Sequence, residues 1–101
     1  MQRPGAGAPS EYRIFETDEF LSKLAKLSAQ DRDAIRAKLA DYAYPRFREQ
    51  PYFGTNIRKL RAYAPDTWRY RIGRFRVFYA VDQEERTVYV LTVEARKDAY
   101  R

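Results

Sequence analysis

Arginines alternate with apolar residues in the stretch WRYRIGRFRVFYAVD, residues 68–82. Trp68, Tyr70 and Ile72 interleave with Arg69 and Arg71. Beyond Gly73, Phe75, Val77, Tyr79 and Val81 interleave with Arg74 and Arg76. Period-two alternation of aromatic and β-branched residues is the pattern of half-buried strands. Gly73-Arg74 fits a two-residue type II′ hairpin loop, which wants glycine first. That register sets Arg71 directly opposite Arg76, with Arg69 diagonal to it. Like charges facing each other across a ladder repel, so three guanidiniums held on one patch point to an anion as ligand. Guanidinium binds phosphate oxygens in a bidentate fork and stays protonated. This patch therefore suits phosphate binding and charge stabilisation rather than proton abstraction.

Charge placement supports the same reading. The net charge is +6. Between Arg58 and Arg76 lie seven bases (Arg58, Lys59, Arg61, Arg69, Arg71, Arg74, Arg76) and one acid, Asp66, a surplus that equals the charge of the whole chain. A basic patch on a neutral body predicts a polyanion, nucleic acid first. The chain has no cysteine and no histidine, which excludes disulfides, thiolate metal sites and imidazole acid–base chemistry. Neither a metal nor a cofactor is expected. No apolar run approaches the ~20 residues that span a bilayer. Residues 1–10 lack the apolar core of a secretory signal, so a cytoplasmic location is expected.

The remainder must position the hairpin. With 101 residues, one small domain is expected over 11–101, preceded by a disordered Gly/Pro/Ala-rich segment at 1–10. Residues 11–16 alternate loosely and read as a first strand, with Tyr12 and Ile14 on one face. Thr17 or Asp18 can cap a helix bearing Phe20, Leu21, Leu24 and Leu27. Ser28, followed by Asp31, can cap a second helix bearing Ile35, Leu39, Tyr42 and Ala43. Pro45 should end or kink that helix near Tyr44. Both stripes read as core. Lys23, Lys26, Arg32, Asp33, Arg36 and Lys38 read as a solvated face. Residues 46–67 are irregular, anchored by Ile57 and Leu60.

The last strand spans residues 87–96. With core residues Tyr89, Leu91, Val93 and Ala95 and a three-residue loop Gln83–Glu85, Arg96 falls on the face of Arg69, Arg71 and Arg76. The result is an α+β fold of order β-α-α-β-β-β, a helical hairpin on one face of a small antiparallel sheet. Its open face would be half basic and half apolar, the apolar part being Phe78, Val88 and Val90. Either a partner chain or the segment 46–67 would cover that part.

The string KLRAYAPDTWRYRIGRFRVFYAVD, followed by VYVLTVEARKDAYR, resembles the RelE/ParE superfamily of type II toxin–antitoxin toxins. The marks are a basic-x-basic strand, a glycine, an Arg-Val-x-Tyr strand and a closing Arg-x-x-x-Tyr. The resemblance implies the RelE-like form of this fold and a cognate antitoxin partner. RelE-type members resemble metal-free endoribonucleases that cut mRNA on the ribosome, by attack of a ribose 2′-hydroxyl on the adjacent phosphate. Carried over by motif, Arg71, Arg76, Arg96 and Tyr100 are implied to be catalytic. Arg69 is implied to position the RNA backbone, with Arg58, Lys59, Arg61 and Arg74 as further RNA contacts. Arginine at 69 and 71 departs from the lysines of the prototype, and Ala95 stands where many relatives have histidine. These departures leave the general base open among Tyr100, Glu94 and Asp98. Two alternatives stand beside the nuclease: a ParE-like inhibitor that binds DNA gyrase, and a catalytically weak RNA-binding member.

Overall fold

The computed structural model describes residues 11–96. The segment read as disordered, 1–10, lies outside them, as do Tyr100 and Asp98. Chain order is β1 (Arg13–Glu16), α1 (Asp18–Ala25), α2 (Ala29–Lys38), a wide π-helical turn (Leu39–Ala43), α3 (Tyr44–Glu49), β2 (Ile57–Lys59), β3 (Trp68–Ile72), β4 (Phe75–Asp82) and β5 (Thr87–Ala95). The five strands make one sheet in the order β1-β5-β4-β3-β2. From β2 to β5 the chain is an antiparallel meander, and β1 lies parallel to β5. The expected antiparallel sheet is therefore mixed. The helices carry the chain from one sheet edge to the other, and the meander returns to meet β1 running the same way. No helix among the described residues is long and apolar enough to cross a membrane.

The hairpin forms in the predicted register, Arg71 opposite Arg76 and Ile72 opposite Phe75. Gly73 takes φ +56°, the left-handed value that the first position of such a turn requires. Trp68, Tyr70, Ile72, Phe75, Val77 and Tyr79 are buried, covered by Phe20, Leu24, Ile35, Leu39 and Phe47 from the helices. Phe47 meets Tyr70 edge-on at 5.7 Å and lies against Tyr79 at 4.2 Å between ring centroids. Both helices start on the caps the sequence offered. Thr17 Oγ1 accepts the Phe20 N–H at 3.2 Å, and Ser28 Oγ accepts the Asp31 N–H at 3.1 Å.

Three local expectations are corrected. Pro45 does not end the second helix. The preceding turn widens, with the Tyr44 N–H reaching back to the Leu39 carbonyl, and the helix runs on to Glu49. A wide turn makes room for a proline ring that would otherwise press on the carbonyl one turn earlier. The extra residue also rotates the stripe: Ile35, Leu39, Ala43, Tyr44 and Phe47 are buried, while Tyr42 is 60% exposed. Leu21 on α1 is likewise exposed at 40%. Arg36 stays exposed, as predicted, and also binds Glu16 of β1 at 2.5 Å.

The third correction concerns β5. The loop has four residues, Gln83 to Arg86, because Asp82 pairs with Thr87. This inverts the expected phase, so Val88 and Val90 are fully buried instead of facing outward. A bulge then follows. Phe78 pairs with Thr92 and Tyr79 with Val90, leaving Leu91 as the extra residue. Beyond it, Val93 is buried in core phase, as predicted. The bulge thus undoes the effect of the longer loop.

Truncating Phe47 to alanine should lower unfolding stability by about 3–5 kcal/mol, read from urea midpoints. The core also sets an alkaline limit. Tyr79 donates to the buried Pro51 carbonyl at 2.7 Å, and Tyr44 donates to Glu16 at 2.6 Å. Burial pushes both phenols above their ordinary range, helped at Tyr44 by the Glu16 hydrogen bond. In the unfolded chain they ionise near about pH 10. Stability should be full below that pH and fall above it, as the unfolded state sheds protons the folded state retains. Urea midpoints at pH 8 and pH 11 measure this loss, and Tyr79→Phe should reduce it.

Candidate nucleic-acid interface

The reverse of the aromatic core is the open face of the sheet. Cross-strand pairing aligns Arg58 with Arg69, Arg69 with Phe78, and Phe78 with Thr92. The neighbouring row aligns Arg71, Arg76 and Glu94. At its end the Arg96 N–H donates to the Arg74 carbonyl at 2.7 Å, tying the end of β5 to the hairpin turn. The guanidinium of Arg69 reports the crowding. Its pKa is lowered first by burial, then by Arg58, Arg76, Arg71 and Arg96. The four predicted arginines 69, 71, 76 and 96 are thus brought together, and Arg58 joins them.

Arg58, Lys59, Leu60, Arg61, Arg69 and Arg76 line a concavity of about 270 Å³. Five of its six lining residues are cations, a lining that suits a phosphodiester chain. Arg69 Nε, Arg76 Nε and Thr92 Oγ1 are buried with no hydrogen-bond partner among the described residues. An unpaired buried donor costs roughly 1–3 kcal/mol. Burial of these two Nε donors is therefore a standing cost of the arrangement. Among the described residues the carboxylate in register with this row is Glu94. It lies 3.9 Å from Lys23, a distance at which an exposed pair contributes little.

Two predicted contacts stand differently. Arg74 turns to the helical side, where it binds Asp31 at 3.2 Å and lies over the Phe75 ring at 5.3 Å. It is a turn residue, so strand alternation does not govern its direction, and it is removed from the interface. Lys59 lines the concavity but is shared with Asp66 at 3.3 Å and the Trp68 ring at 5.7 Å. Tyr100 lies outside the described residues. The apolar part of the open face is also revised. Val88 and Val90 belong to the core, and Phe47 of the segment 46–67 packs on the helical side. Near β1 the open face instead carries exposed Phe15 against half-buried Tyr89, edge to face at 5.6 Å. Sequence reasoning missed it because it depends on the β1–β5 pairing.

A family model described as the ParE toxin of the type II toxin–antitoxin system parDE matches residues 14–100. Three solved structures are similar. The RelBE2 toxin–antitoxin complex of Mycobacterium tuberculosis matches at 26% identity and TM-score 0.66, over 85% of this chain and 99% of that one. The isolated RelE toxin of E. coli matches at 25% identity and TM-score 0.63, over 88% and 90%. The RelE–RelB complex of Pyrococcus horikoshii matches at 22% identity and TM-score 0.57, over 86% and 97%, a likeness of fold. No curated protein sequence matches.

Single-stranded RNA binding should depend steeply on salt, with a slope of roughly −0.7 per phosphate neutralised. Arg76→Ala should flatten the slope by about one such step. Arg74→Ala should leave it unchanged. Fluorescence anisotropy of a labelled oligouridylate across a salt series measures both.

Proposed function

Because this chain belongs to the ParE toxin family of type II toxin–antitoxin systems, within the RelE/ParE superfamily, we propose that it is a toxin of the RelE type. On this reading it is a ribosome-dependent endoribonuclease that cleaves mRNA. The observation that supports it is the convergence of Arg58, Arg69, Arg71, Arg76 and Arg96 on one open face, each within electrostatic reach of Arg69.

The chemistry follows from what such a face does best. The ribose 2′-hydroxyl attacks the adjacent phosphorus, the 5′-oxygen leaves, and a 2′,3′-cyclic phosphate remains. The reaction requires no protein nucleophile. It does require preformed donors around the pentavalent phosphorane, where added charge is greatest. Arg71, Arg76 and Arg96 take this role. Arg69 holds the backbone, and Arg58, Lys59 and Arg61 hold flanking phosphates. Guanidinium cannot accept the 2′-hydroxyl proton at neutral pH. On this reading Tyr100 takes that proton, with Glu94, across from Arg76, and Asp98 as carboxylate alternatives. The ribosome supplies the remainder of the constellation.

The partner on this reading is a cognate antitoxin, since relatives of similar fold are seen in toxin–antitoxin complexes. An acidic, partly disordered antitoxin segment would neutralise the arginine face. The match to a ParE toxin model supports keeping a second reading that the resemblance to ParE-type toxins implies, gyrase inhibition by binding.

One induction experiment separates these readings by following growth, mRNA 5′ ends and chromosome integrity together. The nuclease reading expects growth arrest, new mRNA 5′ ends and an intact chromosome. Arg76→Ala should slow cleavage by about 10²–10³-fold, and the double variant with Arg96→Ala should restore growth. Chromosome breaks with intact mRNA would establish gyrase as the target, and normal growth would indicate a weak RNA binder. Undiminished arrest in the double variant would overturn the assignment of the face.

A further inference from the structure

A second concavity, of about 340 Å³, lies where β2 stops covering β3. Lys38, Tyr42, Asn56, Tyr70, Arg71, Ile72 and Gly73 line it. Its origin is local. Asn56 takes φ +72°, and its carbonyl accepts the Arg71 N–H at 3.0 Å. That is the last bond β3 receives from this side, so its edge runs on uncovered toward Gly73. Buried Tyr70 and Ile72 form the floor. The outer wall is Tyr42, turned outward by the wide turn that Pro45 imposes.

Three features give this concavity a chemical character. Tyr42 presents an aromatic face that is 60% exposed, and Lys38 Nζ lies 4.9 Å from its ring centroid. The lining holds two cations, Lys38 and Arg71, and no carboxylate. Arg71 is shared with the basic face, where it stands opposite Arg76. Aromatic rings flanked by cations are how proteins hold single-stranded nucleic acid: the base stacks and the phosphate pairs.

We propose that this concavity is a nucleotide subsite for the RNA strand that crosses the arginine face. The strand passes the sheet edge at Arg71, the next base stacks on Tyr42, and its phosphate is held by Lys38 and Arg71. The inference rests on the RNA reading above and extends it by one nucleotide around the edge of the sheet. Cleavage chemistry stays on the arginine face, and this subsite contributes affinity and register. Because stacking tolerates every base, it selects strand length over sequence.

The test compares a dinucleotide, UpU, with a twelve-nucleotide oligouridylate on the whole protein. Tyr42→Ala should weaken the longer strand roughly 5- to 100-fold and leave the dinucleotide unchanged. Tyr42→Phe, which keeps the ring, should bind like wild type, and Lys38→Ala should weaken the longer strand alone. Unaltered unfolding midpoints confirm that the variants fold. Equal binding by wild type and Tyr42→Ala at both lengths overturns the subsite. If Arg76→Ala still weakens both lengths, the RNA reading survives that failure. Titration with uridine 5′-monophosphate, followed by backbone NMR, separates the reverse case. Shifts at Lys38, Tyr42, Asn56 and Gly73 sustain the subsite even if no strand binds the arginine face. Absence of those shifts, or the same shifts from a polyglutamate peptide alone, overturns it.

Discussion

The three hairpin arginines of the open face each lie between two buried rings or branched chains. Arg69 sits between Trp68 and Tyr70, Arg71 between Tyr70 and Ile72, and Arg76 between Phe75 and Val77. All five flanking residues are buried. Fully burying such a side chain stabilises by about 1.5–3 kcal/mol. A like-charged pair directly across a ladder costs only about 0.2–1 kcal/mol. Hydrophobic burial therefore decides the register, and the arginines are carried into proximity by strands that have no cheaper arrangement. A slip by one residue would bury Arg69, Arg71 and Arg76 and expose the core. On the hairpin the charge cluster is fixed as a consequence of packing.

The same logic governs β5, where two irregularities cancel. A four-residue loop puts Val88 and Val90 into the core, and the bulge at Leu91 restores the opposite phase for Val93. Remove either and Glu94 would turn inward, with Arg96 after it. The near half of β5 serves the pairing with β1, where Val88 aligns with Ile14. The far half serves the hairpin, where Val93 aligns with Val77. One straight strand could not present apolar residues to the core at both ends with this sequence. The bulge is what lets the strand support the sheet edge and the charged face together.

How much of this was legible follows from range. The hairpin, its turn, its register and both helix caps depend on residues within a few positions of one another, and the sequence pattern carries them. Arg69, Arg71, Arg76 and Arg96 were placed correctly together, although the last rested on a three-residue loop that is really four residues plus a bulge. The β1–β5 pairing was not legible, because nothing in the residues 13–16 states which strand they will meet. Nor was the choice between ending and kinking at Pro45: the helix runs on through a wide turn at 39–43, and the tertiary contacts of Phe47 make continuation worthwhile. Arg74 was misplaced by applying strand alternation to a turn position. Each miss arises where a distant contact outweighs a local rule.

Arginine, rather than lysine, on this face narrows what it can do. Crowding and burial lower the pKa of Arg69, but a guanidinium starts above about 12, so it remains charged wherever the protein is folded. A lysine in the same place could be tuned toward neutrality and take a proton. Such a face keeps its positive charge at every relevant pH, and on the nuclease reading proton transfer has to come from a carboxylate, a phenol or the ribosome. Permanent charge also means the face cannot be silenced by pH. On the toxin reading, the remaining way to silence it is to occupy it with another polyanion. RNA phosphate and an acidic protein segment then compete for the same donors, Arg69 and Arg76 among them, and whichever neutralises the greater number of them prevails.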